Sequence, residues 1–198
     1  MSKIKICGLR RPVDVEMVNR YHPDYAGFIQ VPGRMRNVPE DVLAVILPRL
    51  DKTIKSVGVF VNEERDVLAG KIEKFDFDLI QLHGQESEEY ISWLKKRFDK
   101  PVIKAVSVKT SEDILSWKNS IADYLLLDNG GGGTGQSFDW KEIVDMEHPF
   151  FMAGGINSDN VVDALKHNPF CIDASGGVET DGFKDENKIK ILIEKVRN

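Results

Sequence analysis

Thiols are scarce in this chain. Its two cysteines, Cys7 and Cys171, stand far apart and outside any CxxC pair, which argues against a disulfide framework and a thiolate zinc site and fits a reducing compartment. Long apolar runs are missing too. Nowhere do about 18 apolar residues follow one another, and the N-terminal MSKIKICGLRR has only a short apolar window broken by Lys5, so neither a membrane span nor a signal peptide is expected. The cytoplasm is the expected location. A basic block is absent as well: 27 Lys and Arg are scattered among 32 Asp and Glu, for a formal net charge of −5. That pattern leaves no electrostatic footprint for nucleic acid and favours a small ligand over a polymer. It still permits one positive pocket built from backbone amides and a few arginines. With no linker and no low-complexity segment, the 198 residues, 41% apolar, are expected to form one domain around a substantial core.

What the chain does have is alternation. Short β-rich runs take turns with longer amphipathic ones: KIKIC then VDVEMVNRY, YAGFIQ then EDVLAVILPRL, IKSVGVFV then ERDVLAGKIEKF, DLIQLHG then EEYISWLKKRF. PVIKAVSV with SEDILSWKN, DYLLLD with DWKEIVDM, PFFMAGG with SDNVVDALKHN, and CIDASGG with DENKIKILIEKVRN complete eight strand-helix units. Continuous apolar strands with helical returns imply a parallel sheet covered by helices, and eight units favour closure into a (β/α)8 TIM barrel of eight parallel strands. In that architecture chemistry sits where strands end and loops lead into helices. The strand ends are therefore the candidates. Asn62, Ser111, Asn157 and Ser158 among them are expected to be helix caps.

The run LLLDNGGGGTGQSFDW at 125–140 ends a strand on Asp128 and continues into glycines. Gly130, Gly132 and Gly135 satisfy GxGxxG, but no helix opens at the third glycine and no acid follows at the dinucleotide spacing. GGGGTGQS differs from a Walker loop by Gln136 in place of the phosphate-binding lysine. The remaining reading is a close-approach loop over a ligand, with Gly132, Gly133 and Gly135 supplying bare amides. Gly154 with Gly155, and Ser175 with Gly176 and Gly177, follow strands seven and eight, where barrels build phosphate sites. A phosphorylated small substrate is thus expected. Cys7, ending strand one before Gly8, is a candidate base, because helix N-termini and arginines can lower a thiol's pKa. Asp128 is the candidate acid, provided burial or a neighbouring anion keeps it protonated. Cys171 reads as core. His83 ends strand four, where ligand contact and loop packing explain it equally well. No histidines or acids have metal-ligand spacing.

Seven segments together resemble one family. KICGLR at 5–10, GVFVN at 58–62, LIQLHG at 79–84, VIKA at 102–105, the glycine run at 125–140, AGGINSDNV at 153–161 and DASGGVE at 173–179 are similar to phosphoribosylanthranilate isomerases, in order and over seven of eight strands. The resemblance implies a (β/α)8 barrel that carries out an Amadori rearrangement without a cofactor. N-(5-phosphoribosyl)anthranilate would become 1-(2-carboxyphenylamino)-1-deoxyribulose 5-phosphate, a step of tryptophan biosynthesis. It implies Cys7 as general base, Asp128 as general acid, and Arg36 as holder of the anthranilate carboxylate. Two positions depart from the family pattern: Arg34 stands where serine is usual, so both arginines are candidates for the carboxylate, and Gly176 replaces a second serine. Rival readings are a histidine-pathway or dual-substrate isomerase, which would carry aspartate where Cys7 stands, and a non-catalytic barrel that binds phosphoribosyl ligands. Monomer and homodimer are both open.

Overall fold

Side chains of a strand point alternately to its two faces, and in this protein both faces are buried. The computed structural model describes residues 1–130, 138–144 and 147–198. In β1 (Lys3–Cys7), Ile4 and Ile6 enter the large apolar cluster under the helices, whereas Cys7 belongs to a smaller cluster inside the sheet. The pattern recurs in β2 (Tyr25–Ile29), β3 (Lys55–Phe60), β4 (Leu79–Leu82), β5 (Val102–Ser107), β6 (Tyr124–Asp128), β7 (Phe150–Met152) and β8 (Cys171–Ala174). Every strand pairs in parallel with the next, and β1 pairs with β8, so the sheet closes in chain order. The (β/α)8 barrel expected from the alternation is the fold.

Helices cover the outside and take their ends from local chemistry. In α1 (Pro12–Tyr21) proline opens the helix, and the Asp14 carboxylate accepts the N–H groups of Arg10 and Arg11 at 3.0 Å each. After α2 (Glu40–Ile46) and α3 (Arg65–Phe75) comes α4 (Glu88–Arg97), capped by Ser87. Its acids lie in the first turn and its bases in the last, as the helix dipole favours. α5 (Ser111–Leu115) and α6 (Val161–Leu165) are single turns and a little more, while α7 (Glu186–Arg197) is capped by Asp185.

The sixth unit differs from expectation. Among the described residues DWKEIVDM forms only a 3-10 turn, Trp140–Glu142, and Ile143 turns extended at ψ 115°. Two β-branched residues in succession, Ile143 and Val144, are poor helix formers and give the turn no reason to continue. The caps also fall elsewhere: Thr110 and Asn160 precede α5 and α6, and Glu64 precedes α3. Asn62 instead adopts φ 50° and accepts the Gln85 N–H at 2.6 Å, tying the β3 and β4 loops together.

The barrel interior is graded along its axis. Tyr25, Tyr124, Phe151 and Phe170 pack ring against ring, with centroids 4.7 to 5.7 Å apart, and fill the end where strands begin. Polar side chains occupy the other end, so the cavity opens only where chemistry is expected. Gly27, paired in register with Cys7, makes room there: a β-carbon on it would lie 2.7 Å from the Cys7 sulfur. Gly27→Ala should therefore lower the unfolding free energy by about 1–3 kcal/mol, as overpacking does. A urea midpoint equal to the parent's would show that the strand yields to the methyl without cost.

Candidate active site

Two buried charges face each other across the β1–β8 seam. Lys5 on β1 lies directly across from Asp173 on β8, and its ammonium donates to both carboxylate oxygens at 3.0 Å. Burial pulls the Lys5 pKa down, but Asp173 and the Cys7 sulfur more than offset it, and the net shift is upward. Cys7 stands two residues along the same inward face. Burial pushes its thiol up; Lys5 and Lys184 oppose that while Asp173 adds to it, and the thiol stays above its ordinary pKa. The Ser175 hydroxyl donates to the Cys7 carbonyl at 3.1 Å, fixing the end of β1 against the β8 loop.

Asp128 ends β6 with one oxygen accepting the Asn129 N–H at 2.7 Å and the other 3.3 Å from His83 Nε2. Behind the imidazole, Gln81 Nε2 is 2.8 Å from His83 Nδ1. With that amide donating, the ring proton resides on Nε2 and points to the carboxyl group. Gln81 Oε1 is buried without a partner among the described residues. A buried orphan acceptor is costly; the Gln81 side chain borders the cavity, but this oxygen is sealed from it.

Arg36 is held by the β8 side of the barrel. Its Nε and Nη2 donate to the Glu179 carboxylate at 2.8 and 2.7 Å, and Glu179 also accepts from Lys184 at 2.7 Å. Arg34 is exposed and has no ion pair among the described residues. The loop that carries both arginines is pinned by Gln30, whose amide donates to the Val38 carbonyl at 2.9 Å, and by Arg10, which reaches the Met35 carbonyl.

These groups surround one cavity of about 460 Å³ at the C-terminal ends of the strands, a size suited to a small molecule. Cys7 and Asp128 line it from different strands, with Arg34, Arg36 and His83 also in the wall. Gly154 and Gly155, with positive φ of 82° and 69°, and Ser175, Gly176 and Gly177 complete the wall on the β7–β8 side. A β-carbon on Gly177 would lie 1.9 Å from the Ile156 carbonyl oxygen, so only glycine allows the two loops to meet. The N–H groups of Gly154, Gly155, Gly176 and Gly177 have no backbone acceptor among the described residues. Gly132, Gly133 and Gly135 lie outside the described residues.

Lys5, Asp173, Gln81, Glu179 and Lys184 were not singled out from sequence, although Lys5, Gln81 and Asp173 each sit two residues before a strand-end candidate. A period-two count back from Cys7, His83 and Ser175 points to them.

A parallel barrel whose mouth gathers a thiol, a carboxyl-imidazole pair and arginines around a ligand-sized hollow belongs with the barrel enzymes of small anionic substrates. Comparison makes the class specific. Residues 4–195 match the family model of N-(5'-phosphoribosyl)anthranilate isomerase, and the chain belongs to that family. It is 46% identical to the N-(5'-phosphoribosyl)anthranilate isomerase of Endomicrobium trichonymphae, with all of both chains covered. Among solved structures, the phosphoribosyl anthranilate isomerase of Thermotoga maritima superposes with a TM-score of 0.91 at 32% identity, covering 100% of this chain and 99% of the other. Another, solved in complex with reduced 1-(o-carboxyphenylamino)-1-deoxyribulose 5-phosphate, gives 0.85 at 29% identity, covering 100% and 99%.

The two thiols should separate chemically. Cys7 borders the cavity, while Cys171 is 0% exposed with its pKa driven up chiefly by burial. Iodoacetamide should label Cys7 alone in the native protein, at a rate still climbing above the free-thiol pKa of about 8.5. A rate that levels off near neutrality would mean that the cations around Cys7 outweigh its burial.

Proposed function

We propose that this chain isomerises N-(5'-phosphoribosyl)anthranilate to 1-(2-carboxyphenylamino)-1-deoxyribulose 5-phosphate, with Cys7 as base and Asp128 as acid. One observation carries the assignment of roles: the thiol of β1 and the carboxyl group of β6 border the same cavity in a member of this family.

The reaction needs a proton delivered at one end of the sugar and another withdrawn beside it. Asp128 in its protonated form gives its proton to the furanose ring oxygen; the C1–O bond breaks and the anthranilate nitrogen lone pair closes a protonated Schiff base. His83, within reach of the same carboxyl group, gives the acid a partner with which to share a proton. The Cys7 thiolate then removes the proton on C2, whose electrons neutralise the iminium and leave an enolamine. Loss of the enol proton and protonation of C1 yield the ketone. No redox partner enters the balance.

Binding follows from the remaining wall. Arg36 offers guanidinium N–H groups to the anthranilate carboxylate, and planar bidentate donors suit that anion. The N–H groups of Gly154, Gly155, Gly176 and Gly177 suit the phosphate. The loop with Gly132, Gly133 and Gly135 is assigned to the substrate on sequence alone. A cytoplasmic location is part of the proposal, supported by two unpaired cysteines that suit a reducing compartment; no helix among the described residues is long and apolar enough to cross a membrane. A Thermotoga maritima relative is described as dimeric; a homodimer is one of the two assemblies open to this chain.

Supplying phosphoribosylanthranilate and following the loss of its fluorescence tests the proposal directly. Cys7→Ala and Asp128→Ala should each lower turnover by about 10² or more, the usual worth of a positioned proton-transfer group. Because the thiol sits above its ordinary pKa and only the thiolate is a base, kcat/KM should climb with pH through the neutral range. Near-parental activity in either variant, or a pH-independent rate, would remove that residue from its role.

A further inference from the structure

Downstream of β8 the chain makes a hairpin unrelated to the barrel sheet. β9 (Glu179–Thr180) and β10 (Phe183–Lys184) pair antiparallel around Asp181 and Gly182, which take φ of 52° and 76°. That Asp-Gly pair with two positive φ values is the signature of a tight two-residue hairpin turn. In register, Lys184 faces Glu179. The hairpin is then lashed to the first barrel loop: Arg10 donates to the Gly182 carbonyl at 2.7 Å, and the Arg10 and Arg11 guanidinium groups lie 4.8 and 4.4 Å from the Phe183 ring centre.

We infer that Glu179 and Lys184 are the positioning residues of the carboxylate-binding arginine: the hairpin presents Arg36 as an oriented cation that keeps a full positive charge. The inference rests on the proposed reading of Arg36 as the anthranilate anchor. Three observations carry it. First, Glu179 engages the guanidinium side-on through Nε and Nη2, which leaves the end-on edge, Nη1 with the second Nη2 hydrogen, for an incoming carboxylate. Second, the side chain packs closely over two glycines. Its Cδ lies 2.9 Å from where a β-carbon on Gly8 would stand, and its Nη2 3.2 Å from one on Gly176. A serine at 176 would crowd the guanidinium, so the glycine at that position and the posture of Arg36 go together.

Third, the charges do not cancel. Arg36 and Glu179 alone would form a neutral pair with little left to attract an anion. Lys184, 4% exposed, donates to the same Glu179 oxygen at 2.7 Å and to the Ser175 carbonyl at 3.0 Å. One carboxylate thus sits between two cations and the group as a whole carries one positive charge. Burial lowers the Lys184 pKa and Glu179 offsets that only in part, so its net shift is downward, while Glu179 itself lies below the usual carboxylate range because Arg36 and Lys184 overcome its burial. Low local dielectric makes the surplus charge effective on a ligand.

The experiment compares Arg36→Met, Glu179→Gln and Lys184→Met in the full chain, with phosphoribosylanthranilate as substrate and ribose 5-phosphate as a competitor that lacks the carboxylate. Glu179→Gln and Lys184→Met should raise KM about tenfold and change kcat less than about threefold, with the ribose 5-phosphate inhibition constant within about twofold of the parent. A structural role alone would weaken substrate and competitor together or lower kcat at constant KM, and either result overturns the inference. Should Lys184→Met fail to fold, Glu179→Gln, which preserves shape and one acceptor, decides the matter. The arginine variant separates the two levels of argument. An unchanged KM in Arg36→Met would overturn the carboxylate assignment itself, whereas a raised KM there with parental behaviour in Glu179→Gln would overturn only the positioning role.

Discussion

Closure of the barrel at the β1–β8 seam places a buried ion pair beneath the thiol, and the rest of the site is arranged around that constraint. Lys5 and Asp173 meet in register across the seam, with exposures of 0% and 8%. A one-residue slip of β1 would turn Lys5 out among the apolar side chains of the helices, leave Asp173 without its partner and bring Ile4 and Ile6 inward, so the pair and the hydrophobic pattern specify the same register. Stability does not require the pair. Removing one partner of a buried salt bridge typically costs about 3–5 kcal/mol, yet replacing both with apolar groups is often neutral. Its use lies above it, where Cys7 occupies the next inward position.

Much of this was legible from the residues. The eight-unit alternation gave the barrel because hydrophobic periodicity is a local signal, and strand ends read at Cys7 and Asp128 coincide with those of the structure. The resemblance carried by KICGLR and LLLDNGGGGTGQSFDW singled out the same two residues. What could not be read has a common cause. Arg36 and Glu179 are separated by 143 positions, Lys5 and Asp173 by 168, and no propensity or spacing rule connects residues so far apart. The sixth unit departs for a different reason: DWKEIVDM has the right apolar spacing, but among the described residues it makes only the 3-10 turn Trp140–Glu142 before Ile143 turns extended. Asn62 had the chemistry of a cap and was used instead to join two loops, since an Asn tolerates the left-handed backbone found there.

The chain carries a net charge of −5 and yet builds a site for an anion. Global charge and local potential separate because the acids at the mouth are committed. Asp173 answers Lys5, Glu179 lies between Arg36 and Lys184, and Asp128 is engaged by the Asn129 amide and His83. The exposed Arg34 remains at the rim without an ion pair among the described residues. Backbone amides on the β7 and β8 loops add partial positive charge without adding titratable groups. Surface acids elsewhere, screened beyond a Debye length of about 8 Å, have little influence inside this hollow.

A raised thiol pKa looks ill suited to a general base, and the seam explains why it serves in the proposed reaction. A thiol whose pKa is pushed above its ordinary value has only a small ionised fraction at neutral pH. A lone lysine beside it would enlarge that fraction, but would also hold the thiolate too well and make it a poorer acceptor of the C2 proton. Lys5 is not alone. Compensated by Asp173 at 3.0 Å, its ammonium offsets only part of the cost of burying a thiolate, so the thiol stays the favoured form while the pair as a whole remains neutral. In the proposed mechanism the acidity comes from the substrate instead: with the ring opened by Asp128, the protonated Schiff base would draw electrons from C2, and a scarce but strong base in fixed position would suffice. The buried pair therefore acts as a support of nearly zero net charge, which lets the proton move onto sulfur without leaving a buried charge stranded behind it.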